Sequence, residues 1–126
     1  MSALYLTKDL VFFSRLEGVA QRRGWRLESV PNVESLLAAA AAEPRRLIIL
    51  DLGLPGLDPI ELVPRLRATE RSPCAVIAYA SHVHDSLHDV ARQAGCDEFL
   101  SRGQLHAHAE RILERYLEDA VSPREP

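Results

Sequence analysis

Three short, continuous apolar runs stand out along the chain: Leu4 to Leu6, Leu47 to Leu50 and Ala75 to Ala80. None alternates polar with apolar residues, so each predicts a strand covered on both faces, as in a parallel sheet. Two weaker runs, Trp25 to Val30 and Glu98 to Ser101, follow Gly24 and the step Gly95-Cys96-Asp97, where a glycine can end the preceding helix. Between the runs the spacing turns helical. Phe13, Leu16 and Ala20 fall on one face of a helix over Leu10 to Arg23. Asn32 is a candidate N-cap for Val33 to Ala42, whose five-alanine run favours helix and which Pro44 closes. Asp58-Pro59 opens a third helix, Ile60 to Thr69, that Pro64 is expected to kink or shorten. Asp85 to Ala94 ends at Gly95, and a fifth helix over Leu105 to Leu117 aligns Leu105, Ala109, Ile112, Leu113 and Tyr116 in one stripe.

Five strand-then-helix repeats joined by short connections predict an α/β fold, a doubly wound (βα)5 domain with a five-stranded parallel sheet. The expected domain spans 1–118, and 119–126 is expected to be a disordered tail. At 126 residues and 47% hydrophobic, the chain can bury a full core as one domain. Fifteen Lys and Arg against eighteen Asp and Glu give a net charge of −3, which supplies no drive toward nucleic acid or an anionic membrane. No apolar run approaches the roughly 20 residues that cross a bilayer, and the first ten residues lack a leader pattern. The expected location is therefore cytoplasmic, with no membrane and no direct nucleic-acid partner. Cys74 and Cys96 form no CxxC pair and read as two buried free thiols, a disulfide between them being the lesser alternative.

Ligands on such sheets bind outside the carboxyl ends of the strands. The residues there are Thr7, Lys8, Asp9, Asp51, Ser81 and Arg102. Asp51 closes the most apolar strand, and Leu52-Gly53-Leu54-Pro55-Gly56 follows it as a punctuated turn. A carboxylate at that place costs free energy unless it is used or paired. The run from Leu47 through Asp51, Gly53, Pro55 and Gly56 to Asp58 resembles the phosphoacceptor strand and loop of the response-regulator receiver family. The resemblance extends from Leu4 to about Leu117, through the βα order, Gly24-Trp25, the segment Ala94 to Leu100 and the strand end Val76 to His82. It implies a flavodoxin-like receiver fold in which Asp51 holds the position that takes a phosphoryl group from a histidine kinase. It also implies an output surface around the fourth and fifth strands and helices.

The departures from that family matter as much. Where it has two adjacent acids that help hold Mg²⁺, this chain has Thr7-Lys8, and Asp9 one place on reads better as a helix N-cap than as a ligand. Where it has a hydroxyl for the phosphoryl group this chain has Ala80, followed by Ser81. Where it has Lys-Pro this chain has Arg102-Gly103, and the switch aromatic is Phe99. Asp51, Lys8 and Arg102 sum to +1, or to zero with Asp9, against about −2 for the family pocket, so a divalent cation is not drawn in. Without a metal, phosphoryl transfer to a carboxylate loses its main electrostatic support. Lys8 has two open orientations, paired with Asp51 or turned to solvent.

The resulting expectation is an atypical, pseudo-receiver-like module that needs no cofactor, is no enzyme, and acts in trans through contact with signalling proteins. A homodimer through the fourth helix, fifth strand and fifth helix is a candidate, Tyr79, Leu87 and Tyr116 lying near that face. The alternative is a working response regulator in a phosphorelay, with Asp51, Asp9 and the Gly53 carbonyl holding Mg²⁺ and Ser81 supplying the hydroxyl. A dehalogenase-type enzyme would want a second Asp where Gly53 stands, and a dinucleotide site would want glycines where Thr7-Lys8-Asp9-Leu10 stands. Five histidines, His82, His84, His88, His106 and His108, read as exposed polar residues before they read as a metal or pH-sensing site.

Overall fold

The computed structural model describes residues 2–69, 74–81 and 85–118. Its elements are β1 (Ser2–Leu6), α1 (Leu10–Arg22), β2 (Arg26–Val30), α2 (Val33–Ala42), β3 (Leu47–Asp51) and α3 (Pro59–Thr69). They continue with β4 (Ala75–Ala80), α4 (Asp85–Ala94), β5 (Glu98–Ser101), α5 (Arg102–Ala107) and α6 (Ala109–Leu117). All strands run parallel in one sheet of order β2-β1-β3-β4-β5. The chain winds outward from β1 in one direction and then from β3 in the other, so a crevice opens at the carboxyl ends of β1 and β3.

The apolar runs are continuous because both sheet faces are covered, and successive strand residues point to opposite faces. Tyr5, Ile49, Ile77 and Tyr79 join Phe12, Leu16, Ile112 and Leu113 of α1 and α6 in one core layer. Leu4, Leu6, Ile48, Leu50 and Val76 join Leu36, Leu62 and Leu66 of α2 and α3 in the other. The Asn32 side chain accepts the Ser35 N–H at 2.8 Å and fixes the start of α2. Gly95, at φ 93°, ends α4 in a backbone conformation that a side chain would strain.

Several sequence expectations change. The buried phenylalanine of α1 is Phe12, with Phe13 only partly buried beside it, because the stripe facing the sheet runs Phe12, Leu16, Ala20. Pro64 does not shorten α3. It sits exposed in the second turn, where it forfeits one backbone bond, while Leu62, Val63 and Leu66 bury the opposite side and hold all eleven residues helical. The single fifth helix is two: a capping box between Ser101 and Gln104 starts α5 at Arg102, and the chain breaks at His108 before α6. Cys74 and Cys96 form no disulfide, and both are half-buried rather than buried. Burial pushes the Cys96 thiol up to about 11. No helix among the described residues is long and apolar enough to cross a membrane. His82, His84 and the expected tail lie outside the described residues.

Candidate functional site

The parallel register carries Thr7, Asp51 and Tyr79 side by side, because Leu6 pairs with Leu50 and Asp51 pairs with Tyr79. The Asp51 carboxylate is held from two directions. The Thr7 hydroxyl donates to Oδ2 at 2.8 Å, and the Gly53 N–H donates to Oδ1 at 2.9 Å. Thr7 is buried and its oxygen also accepts the Asp9 N–H at 3.0 Å, so the hydroxyl is oriented before it meets the carboxylate. A neutral donor thus stands where the resemblance led us to look for an acid. The turn is close at Gly53, where a Cβ would lie 3.1 Å from Asp51 Oδ1.

Asp9 caps α1 as expected, its Oδ1 accepting the Phe12 N–H at 3.1 Å. Its other oxygen pairs with the Arg102 guanidinium, which lies over the Phe12 ring at 4.8 Å. Lys8 is exposed, and among the described residues it pairs with no carboxylate, so the open choice resolves toward solvent rather than toward Asp51. A short, hydrogen-bonded Asp51 leaves no reason for a long flexible ammonium to fold over it. Lys8, Asp9, Asp51, Gly53, Tyr79 and Arg102 line a cleft of about 290 Å³ together with Ser81. Its two carboxylates and two cations sum to zero, the second of the two sums the sequence allowed.

The hydroxyl neighbour of Asp51 on β4 is the residue that sequence reasoning missed. Register puts Tyr79 there, and Ala80, which the resemblance sets at the family's hydroxyl position, lies one place on, buried with its methyl on the opposite face. The Tyr79 hydroxyl lies 2.6 Å from that of Tyr5, and both rings are buried. Burial pushes the Tyr79 phenol up to about 12, and the Asp51 charge adds to the rise. Burial, then its bond to Tyr79, drives the Tyr5 phenol well above its ordinary range. One signal was available: a phenol inside a run covered on both faces must find a polar partner, and this chain has two.

Ser81 is exposed at the rim. Phe99 is half-buried on the other core layer, its ring 5.9 Å from that of exposed His88. His106 is exposed, bonded at 3.3 Å to Arg15 and 5.8 Å from the Phe12 ring. Among the described residues no three His, Cys, Asp or Glu converge to hold a metal ion. Within the cleft Asp9 is engaged by a helix cap and an arginine, and the Gly53 N–H is bonded to Asp51.

The sequence pattern of the response regulator receiver domain matches residues 9–115. The chain is 35% identical to the KDP operon transcriptional regulatory protein KdpE of Escherichia coli over 97 residues, 74% of this chain and 42% of that protein. It spans less than half the length of that relative. Among solved structures, a response regulator from Hahella chejuensis matches with a TM-score of 0.79 at 19% identity, over 93% of this chain and 95% of that one. The receiver domain of a Pseudomonas aeruginosa sensor histidine kinase, solved with magnesium in its active-site cleft, matches with a TM-score of 0.76 at 22% identity, over 94% and 98%.

Proposed function

This chain belongs to the response regulator receiver family, and we propose that within it the chain is a pseudo-receiver: a non-enzymatic module that signals by protein contact without phosphorylation of Asp51. The observation that carries this reading is the bonding of the cleft's two carboxylates. Asp51 is satisfied by Thr7 and Gly53, and Asp9 by the α1 cap and Arg102. A phosphoryl group arriving at Asp51 would have to displace the Thr7 or Gly53 bond and bring further negative charge into a cleft whose second carboxylate is already tied to Arg102. Lys8 and Arg102 are the cations available, and Arg102 is already committed to Asp9.

The partners on this reading are signalling proteins reached in the cytoplasm, and the α4, β5 and α6 face is a candidate for self-association. On that face the half-buried Tyr116 donates its hydroxyl to Glu98 at 2.6 Å. The retained Asp51 and its Leu54-Pro55-Gly56 loop favour the second reading, a phosphorelay acceptor using Mg²⁺. Intact mass after incubation with Mg²⁺ and acetyl phosphate separates the two, with Asp51→Asn alongside. No mass gain in either protein is expected. A phosphate-sized gain in the native chain alone would establish Asp51 as a working acceptor and end the pseudo-receiver reading.

A further inference from the structure

The two tyrosines do more than satisfy each other. Tyr5 pairs in register with Ile49, and Tyr79 with Asp51, so the two phenols start from strands on either side of β3. Those flanking strands lie roughly 10 Å apart, two strand spacings. Hydroxyls 2.6 Å apart therefore meet above β3, on the face that Ile49 and Asp51 share. The phenols form an arch that crosses β3 between Ile49 and Asp51.

The arch touches α1 on its outer side. The Tyr79 ring lies 5.7 Å from Phe12, and the Tyr5 ring 6.0 Å from Phe13. Phe12 in turn carries Arg102 at 4.8 Å and His106 at 5.8 Å. These groups line a surface cleft of about 390 Å³ with Val11 and Arg15. Phe99, the aromatic that the family resemblance singled out, packs in the opposite core layer, its ring beside that of His88.

We propose that the Tyr5–Tyr79 arch couples the charge of Asp51 to the α1–α5 face, so that this face, and not the Phe99 side, responds when Asp51 changes. Tyr79 and Asp51 are register partners lining one cleft, and the Tyr79 oxygen lies 2.6 Å from that of Tyr5, so an anionic Asp51 favours the order in which Tyr79 turns its proton toward the carboxylate and Tyr5 donates to Tyr79. Neutralising or covering Asp51 removes the reason for that order, and the hydroxyl pair is free to reverse. A packed layer answers such a reversal by a small discrete shift of the rings against it. The proposal rests on reading the chain as a contact-based module, since it says which surface the cleft controls.

Amide hydrogen exchange by mass spectrometry tests it on the full chain, with no phosphodonor present. The proteins are native, Asp51→Asn, Tyr79→Phe and the double variant, with Tyr5→Phe and its own Asp51→Asn double breaking the arch from the other end. Asp51→Asn is expected to change exchange in α1 near Leu10 to Phe13 and in α5 by about fivefold or more, the lower end of ordinary coupling between sites. The same substitution in either phenylalanine background should change it by less than twofold, with α4 unaffected throughout. A change of equal size with and without the arch, a change confined to α4, or no change at α1 and α5 would each overturn the proposal. Phosphate uptake in the mass experiment would end the pseudo-receiver reading while leaving this coupling to stand or fall on exchange alone.

Discussion

Removing the two hydroxyls of the arch one at a time should give unequal losses of stability. Tyr5 is wholly buried and Tyr79 is 2% exposed, and their oxygens are 2.6 Å apart. Tyr79→Phe leaves the Tyr5 hydroxyl buried with no other partner among the described residues, which costs the full desolvation of that group, about 2 kcal/mol. Tyr5→Phe leaves the Tyr79 hydroxyl beside Asp51 and Thr7, so its loss is that of one ordinary hydrogen bond, about 1 kcal/mol. The double variant replaces both partners with apolar rings of the same shape and strands no hydroxyl, so it should also cost about 1 kcal/mol. The pair then couples by about 2 kcal/mol, since the single losses would otherwise sum to about 3. For a chain of 126 residues this corresponds to roughly 3–5 °C in Tm per kcal/mol. Urea unfolding followed by circular dichroism, checked by thermal melts, reads all four proteins. Additive losses, or a double variant less stable than Tyr79→Phe, would refute the claim that the hydroxyls depend on each other.

Gly53→Ala places a methyl 3.1 Å from Asp51 Oδ1, so the carboxylate must turn away and weaken the 2.9 Å bond from the residue 53 N–H. A loss of about 1 kcal/mol is expected in the same unfolding assay, and an unchanged midpoint would mean that the loop gives way instead. All three tyrosines hold their protons beyond the ordinary 10: Tyr5 and Tyr79 chiefly through burial, and Tyr116, at about 12, through burial and then Glu98. Absorbance near 295 nm should show no ionisation step at pH 10 while the chain is folded. Because the unfolded chain loses those protons first, stability is intact below pH 10 and falls as pH rises from 10 toward 12. Tyr79 alone accounts for about 1.4 kcal/mol per pH unit over that window, and a native titration centred at 10 would contradict the burial of the ring pair.

Much of this protein is set by its sequence alone. The apolar runs, the Asn32 cap and the glycine at 95 fix local structure through short-range physics, and five strand–helix repeats leave one ordinary architecture to adopt. Asp51, Thr7, Lys8, Asp9, Gly53 and Arg102 could be placed at the strand ends for the same reason, since position along a strand determines which end a residue reaches. Local pattern was weaker at the edges of elements. It assigned the α1 stripe to Phe13 instead of Phe12 and ran one helix through His108, because neighbouring helical positions differ by a rotation that only packing chooses.

What a side chain does at those ends was decided by tertiary structure. Whether Lys8 pairs with Asp51, where Arg102 finds its carboxylate, and which β4 residue faces Asp51 all depend on strand register and on partners 28 to 93 residues away. One place along β4 separates Tyr79, a buried phenol on the face of Asp51, from Ala80, whose methyl points to the opposite face. The arch over β3 joins residues 74 apart in sequence through a sheet order in which β3 lies between β1 and β4. No local pattern encodes that meeting, because it exists only once three strands have been laid side by side.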